Sequence, residues 1–275
     1  MKDALVVLGM HRSGTSSVAG ALALLGAAPP RTLMAPAEDN PKGFWESSVI
    51  MALNDAMLAA HGSSWDDWRA LPQPLFGLEQ AREWRDRAVQ ALAAEFGEAP
   101  TIVLKDPRIC RLFGFWREAL GAAGYRPLII SPIRRPGQTA ASLVSRNGLT
   151  RERALRLWLR HVLEAETSSR GLARHFMDWS DFMQDWRGQA ALMSERLGVA
   201  LTARDEAAAK AINAFLSPEL QRHRLIDDPL PPLVARTHQT LLAIARYGEH
   251  PDLHARLDGL RHAFDQVSSL APDAP

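Results

Sequence analysis

Cysteine is almost missing from this chain: Cys110 is alone among 275 residues. That excludes an intrachain disulfide and a metal site built on cysteines, and it fits a reducing compartment. An excess of one charge is missing as well, since 32 Lys+Arg face 31 Asp+Glu for a formal charge of +1. No global basic field points to nucleic acid or an anionic membrane, so any anion site must be local. Linkers rich in Gly and Ser, internal repeats and low-complexity tracts are also absent, the stretch 206–214 being merely alanine-rich. One domain spanning 1–275 is expected, with a helical elaboration over about 205–275. Hydrophobic residues at 47% supply an ordinary buried core.

A membrane-spanning run is lacking too. The uncharged stretch from Ser13 to Pro30 is rich in Ala, Gly and Ser and ends in Pro-Pro. Its helical part is shorter than the about 20 apolar residues a span requires, so it reads as a buried helix. The N-terminus is like a signal sequence only until His11 and Arg12 interrupt it, and no small-residue cleavage site follows. A cytoplasmic protein is expected.

What is present begins at residue 4. The run Ala-Leu-Val-Val-Leu-Gly-Met-His-Arg-Ser-Gly-Thr-Ser, 4–16, is an apolar strand feeding a glycine-punctuated loop and then a helix. Gly9, Gly14 and Ser16 match the Walker pattern G-x-x-x-x-G-K-[ST], but Thr15 stands where the lysine that grips the β/γ-phosphates belongs. The cation has moved to Arg12. Such a loop suits an anion other than a nucleoside triphosphate: amides of Arg12, Ser13, Gly14, Thr15 and Ser16 would donate to a phosphate, helped by their hydroxyls and the guanidinium. The plain alternative is a strand-to-helix turn capped by Ser13.

Further short apolar runs at 101–104, 127–133 and, weakly, 175–179 read as buried strands beside 4–9. Helical patterns fall at about 15–26, 47–61, 78–97, 109–123, 136–146, 151–170 and 184–197, with more after 205 and two helices over 233–270 split at His250-Pro251. Strands separated by helices predict an α/β fold of P-loop NTPase-like type, a parallel sheet flanked by helices with ligands at the strands' carboxyl ends.

The segment Ser131 to Arg146 repeats the strand-then-helix theme, with Pro136 in the first turn. Arg134 leaves the strand, and Ser142 follows eight residues later, two helical turns on, so both could meet one phosphate. Taken alone the signal is weak, and a solvated arginine with a packing serine explains the pair better. Together with the first loop, however, it resembles the sulfotransferases that use 3′-phosphoadenosine 5′-phosphosulfate (PAPS). His11-Arg12-Ser13-Gly14-Thr15-Ser16 is similar to that family's P-K-S-G-T-T/S loop, with arginine for lysine. The resemblance covers about 4–200 and looks nearest to bacterial members of the carbohydrate and tyrosylprotein type. It implies that the first loop holds the donor's 5′-phosphosulfate, and Arg134 with Ser142 its 3′-phosphate. The glycine-rich basic C-terminal loop of the cytosolic aryl and steroid enzymes is not visible in 205–275.

Two more segments carry candidate chemistry. In Leu104-Lys-Asp-Pro-Arg108 a lysine and an arginine at a strand end could neutralise charge on a leaving oxygen, and the resemblance implies a catalytic Lys105. Alternatively Lys105 and Asp106 pair to organise the loop, or Asp106 is a Walker B ligand for Mg²⁺. In Ala37 to Glu46, a carboxylate follows Phe44-Trp45, surroundings that raise a pKa toward general-base work. Glu46 is the candidate base, with Glu38, Asp39 and His11 as reserves; its bland role is to favour the next helix's N-terminus. Arg153, Arg156 and Arg160 read as a solvated stripe, and Trp65 and Trp68 as a satellite hydrophobic cluster that could instead stack on an acceptor.

The expected activity is sulfuryl transfer from PAPS to an acceptor hydroxyl, by analogy on a glycan or glycolipid, without a metal. Two alternatives stay open: a P-loop small-molecule kinase using ATP and magnesium, and a nucleotide-binding accessory protein without turnover.

Overall fold

The computed structural model describes residues 2–38, 40–203, 205–216 and 229–269. Four strands, β1 (Lys2–Val7), β2 (Thr101–Lys105), β3 (Tyr125–Ile133) and β4 (Arg174–Asp178), form an all-parallel sheet in the order β2-β1-β3-β4. Every residue of β1 from Ala4 to Val7 is buried, the continuous apolar pattern of a central parallel strand covered on both faces. Alternation of its side chains divides the core. Ala4 and Val6 join a cluster with α2 (Ser48–Ala59), α3 (Leu78–Phe96) and α4 (Ile109–Ala122), while Leu5 and Val7 pack on the opposite face. That second face is covered by α1 (Thr15–Leu24), α8 (Trp186–Leu197) and α9 (Glu206–Phe215). A third cluster joins α5 (Pro136–Asn147) and α6 (Arg151–Ser168) to α10 (Pro232–Tyr247) and α11 (Pro251–Ser269).

The pairing register brings the strand ends together: Val7 lies opposite Lys105, and Ile133 opposite Asp178. The chain leaves β1 for β2 on one side and then crosses to β3 on the other, so the strand order reverses around β1. That is where open parallel sheets leave a crevice for ligands.

The expected elements are present with small shifts. β1 ends at Val7, two residues early; Leu8 still donates its amide to Ile130 O at 2.9 Å, and the chain then turns into the loop. The N-cap of α1 is Gly14, in the left-handed region at φ 83°, and not Ser13. A short helix, α7 (Trp179–Gln184), was not expected; Asp178 caps it by accepting from Ser180 N at 2.8 Å. The predicted 184–197 helix therefore begins at Trp186. Among the described residues no helix is long and apolar enough to cross a membrane.

Candidate functional site

The loops after all four strands meet in one cleft. Its walls include Arg12, Gly14, Thr15 and Ser16 after β1, Lys105 at the end of β2, Arg134 after β3 with Ser142 on α5, and Trp179 after β4. Of the nine residues singled out from the sequence, Ser13 alone is missing from these walls, for Glu46 lines the cleft as well. Ser13 is buried, its hydroxyl 3.5 Å from Thr139 Oγ1, and its amide donates to Met10 O at 3.1 Å. The amide expected to face a phosphate is thus already bonded.

Close approach shapes the loop. A Cβ on Gly14 would lie 2.1 Å from the Trp179 indole nitrogen, and one on Gly9 would lie 2.8 Å from Thr15 Cγ2. Trp179 Nε1 donates to Ser17 Oγ at 2.8 Å, and Ser17 Oγ donates to Gly14 O at 2.6 Å, so the indole is bolted to the first turn of α1. First-turn amides of a helix have no intrahelical acceptor and present a positive dipole end to an anion. Arg12 adopts φ 67°, a rare conformation for a side-chain-bearing residue. Its Nε donates to Ser142 Oγ at 2.7 Å, and Arg134 Nη1 donates to the Arg12 carbonyl at 2.9 Å. The serine expected to partner Arg134 is therefore bonded to Arg12. Arg134 is buried, with its guanidinium 4.4 Å from the centre of the Trp179 ring. Burial, followed by the neighbouring charge of Arg12, pulls Arg134 down to about 10. Two guanidiniums competing in one half-buried place are the electrostatic condition that an anion between them relieves.

On the other side of the loop a buried ion pair has formed. Lys105 Nζ donates to Glu46 Oε1, to Phe44 O at 3.0 Å and to Ser16 Oγ at 3.2 Å. Both charged side chains are nearly sealed, at 3% and 5% exposed. Burial raises the Glu46 carboxyl, with Asp106 adding to the rise, while Lys105 and Arg108 oppose it. Glu46 reaches this position through a sharp turn in which Gly43 has φ 85° and Trp45 φ 60°. Trp45 is held in that unusual conformation by packing edge-on against Phe215, ring centres 5.6 Å apart, and by donating to Lys42 O at 3.0 Å.

Asp106 does neither of the things considered for it. It is buried, and instead of pairing with Lys105 it accepts from Asn54 Nδ2 at 3.0 Å and from Arg108, through the amide at 2.9 Å and Nη1 at 3.1 Å. Oδ1 serves the turn after β2 through Arg108, Oδ2 ties that turn to Asn54 of α2, and Asp106 is not on the cleft wall. Glu38 is exposed and lines no described cavity wall near Glu46, and Asp39 lies outside the described residues. His11 lines the cleft; burial, then the charge of Arg108, keeps its imidazole well below its usual pKa and neutral.

Other expectations need correction. The Arg153, Arg156 and Arg160 stripe is not a solvated face: Arg160 is 2% exposed and bonded to Trp68 O and Asp265, and Arg153 reaches Asp66 at 2.8 Å. Trp68 does sit in a hydrophobic cluster, as expected, and Trp65 packs against the same cluster while also bordering a cavity. Cys110 is fully buried, which raises its thiol pKa. Trp179 was missed, although an aromatic residue directly after a strand's carboxyl end was the available signal.

No protein-family model matches the chain, and no curated protein does. Among solved structures, the sulfotransferase domain of an olefin synthase from Synechococcus PCC 7002 is similar at 15% identity with a TM-score of 0.45, covering 100% of this chain and 96% of that one. The functional reading rests on this chain's own residues.

Proposed function

We propose that the protein is a sulfotransferase that uses PAPS and transfers its sulfuryl group to an acceptor hydroxyl. The observation that carries the reading is the division of one cleft into two anion-directed halves, Arg12, Arg134 and Ser142 in one and Lys105 with the α1 turn in the other, with a buried carboxylate at its edge. The residues fit such a donor. Arg134 and Ser142, with Arg12 between them, would hold a 3′-phosphate, and Thr15, Ser16 and the start of α1 a 5′-phosphosulfate. When bound, the donor supplies a sulfuryl group whose bond to the phosphate oxygen breaks as a bond to the acceptor oxygen forms, leaving 3′-phosphoadenosine 5′-phosphate.

Glu46 takes the hydroxyl proton on its carboxylate, and Lys105 offers its ammonium to the phosphate oxygen that gains charge. The ion pair makes these two roles interdependent. Lys105 opposes the burial that raises Glu46, so once its ammonium is shared with an anion in the cleft, Glu46 becomes the stronger base. The kinase alternative lacks support at two points: Thr15 replaces the Walker lysine, and Asp106 spends its oxygens on Asn54 and Arg108.

Turnover of radiolabelled PAPS with a panel of alcohols tests the assignment. Glu46→Gln keeps shape and removes the base, so turnover should fall about 10²–10⁴-fold with donor affinity nearly unchanged. Near-normal turnover by this variant would move the base to His11 or elsewhere. Phosphorylation of the alcohols from ATP and magnesium, with no use of PAPS, would replace the reading by the kinase.

A further inference from the structure

The helical C-terminal part reaches toward the site at the end of α9. Ala209 and Ile212 bury one stripe of that helix in the core shared with α1, and Phe215, its last residue, is half-buried against the segment that carries Glu46. Trp45 and Phe215 meet edge to face, ring centres 5.6 Å apart, over Gly20 of α1. A Cβ on Gly20 would lie 2.2 Å from Phe215 Cζ and 2.8 Å from Trp45 Cε2, so the two rings fill the space that glycine leaves free. The helix that turns its first amides to the donor's half thus also seats this aromatic pair.

The pair is fastened from the loop side as well. Lys42 Nζ donates to Ala214 O at 2.8 Å and to Phe215 O at 2.7 Å. Carbonyls at a helix end lack intrahelical donors, and a cation there meets the negative end of the dipole. Asn40 closes the loop on itself, donating through Nδ2 to Gly43 O at 2.7 Å. Phe44 O then accepts from Lys105 and Ser16, and Glu46 follows two residues on. Local preference does not select φ 60° for Trp45, so its neighbours must. Yet Lys42, Trp45 and Phe215 line neither the donor cleft nor the cavity beside it, so their effect on the chemistry passes through Glu46.

We propose that Phe215 is a positioning residue for the base: packed on Trp45 over Gly20, it holds the left-handed turn that lays the Glu46 carboxylate against Lys105. The role rests on the sulfotransferase reading, in which Glu46 takes the acceptor's proton.

Three variants test it, each read by turnover of PAPS, by calorimetry with 3′-phosphoadenosine 5′-phosphate, and by NMR titration of the Glu46 carboxyl, whose resonance is identified by its loss in Glu46→Gln. Phe215→Ala removes the ring. Gly20→Ala pushes it off Trp45 while favouring the helix in which it stands. Ile212→Val trims the fully buried side of α9 and leaves the aromatic pair alone. Phe215→Ala and Gly20→Ala should each lower kcat about tenfold or more, with nucleotide affinity within about threefold because Arg12, Arg134 and Ser142 stand on other elements. The Glu46 titration, raised by burial, should fall toward the about 4.3 of an ordinary glutamate as the carboxylate leaves its buried place. Lys105, Asp106 and Arg108 at the end of β2, and His11 and Arg146 on the shared cavity wall, are unaltered in all three variants, so the shift reports Glu46. Ile212→Val should lower the melting temperature and change neither kcat nor the titration. An unchanged kcat or titration in Phe215→Ala or Gly20→Ala, a nucleotide affinity that falls as far as kcat, or the same losses in Ile212→Val would overturn the proposal. Where Phe215→Ala does not fold, Gly20→Ala decides. Failure of the sulfotransferase reading looks different, as the wild-type protein would turn over no PAPS. The titration alone then decides: a Glu46 resonance that moves in Gly20→Ala but not in Ile212→Val supports the positioning role, and any other pattern overturns it.

Discussion

Glu46 and Lys105 neutralise each other inside the protein, yet both are asked to act on something else. Burial lifts the Glu46 carboxyl and the Lys105 ammonium works against that lift, so the base strength of Glu46 depends on what else the ammonium touches. The pH profile reads this directly. The acid limb of kcat/KM, set by the free enzyme, should lie above the about 4.3 of an ordinary glutamate. The acid limb of kcat, set by the loaded enzyme, should lie higher still. Coincident limbs would mean that Lys105 does not turn from Glu46 toward the donor. The residue types of this pair were legible in the sequence because Lys105 ends a strand and Glu46 follows two aromatics. Their direct contact was not, since it depends on the left-handed turn at Trp45, and nothing in a tryptophan's local preference signals that conformation.

At the scale of elements, α11 is tied down by charge as much as by Leu257, Leu260 and Phe264. Glu166 on α6 is fully buried and bonded by Arg170, at 2.9 and 2.7 Å, and by Arg174 of β4 at 3.1 Å. Arg174 continues to Glu249, Arg170 to Asp258 at 2.9 Å, and Arg160 to Asp265 at 2.7 Å. Glu166→Ala should lower unfolding free energy by about 3–5 kcal/mol in a denaturant titration, because the buried guanidinium of Arg174 and the partly exposed one of Arg170 lose their central partner. A loss under about 1 kcal/mol would show that Glu249 and Asp258 suffice. Acid should loosen the same network. Burial works against Glu249, but the Arg174 hydrogen bond holds its pKa below the ordinary value, and the Arg170 hydrogen bond does the same for Asp258. Groups lowered by folding stabilise above their unfolded pKa and lose that contribution as pH falls through the folded one. Melting temperature should thus drop below about pH 4, and less steeply in Glu249→Gln. The sequence offered the stripe of arginines but not their partners, because those lie 87 to 105 residues away for Arg153 and Arg160.

Across the whole molecule, a parallel sheet with its site at the strands' carboxyl ends was readable from four apolar runs with helices between them, whereas the strand order that reverses around β1 was not. What stayed hidden is how the loop is locked: α7 is six residues long, too short for a periodic signal, and it carries the Trp179 that wedges Gly14 and stacks on Arg134. Trp179→Ala should therefore weaken nucleotide binding without touching any charge, which a titration beside Arg134→Ala would separate. For Arg134→Ala the loss is expected at about 1.5–3 kcal/mol for a nucleotide bearing a 3′-phosphate and much less for one without it. The central claim, that the cleft has two anion-directed halves made for a 3′-phosphorylated nucleotide, is tested most directly by calorimetric titration of the wild-type protein with 3′-phosphoadenosine 5′-phosphate, ADP and ATP, each with and without magnesium. The account predicts that the 3′-phosphorylated nucleotide binds most tightly and without magnesium; tight magnesium-dependent ATP binding, with no gain from the 3′-phosphate, would contradict it.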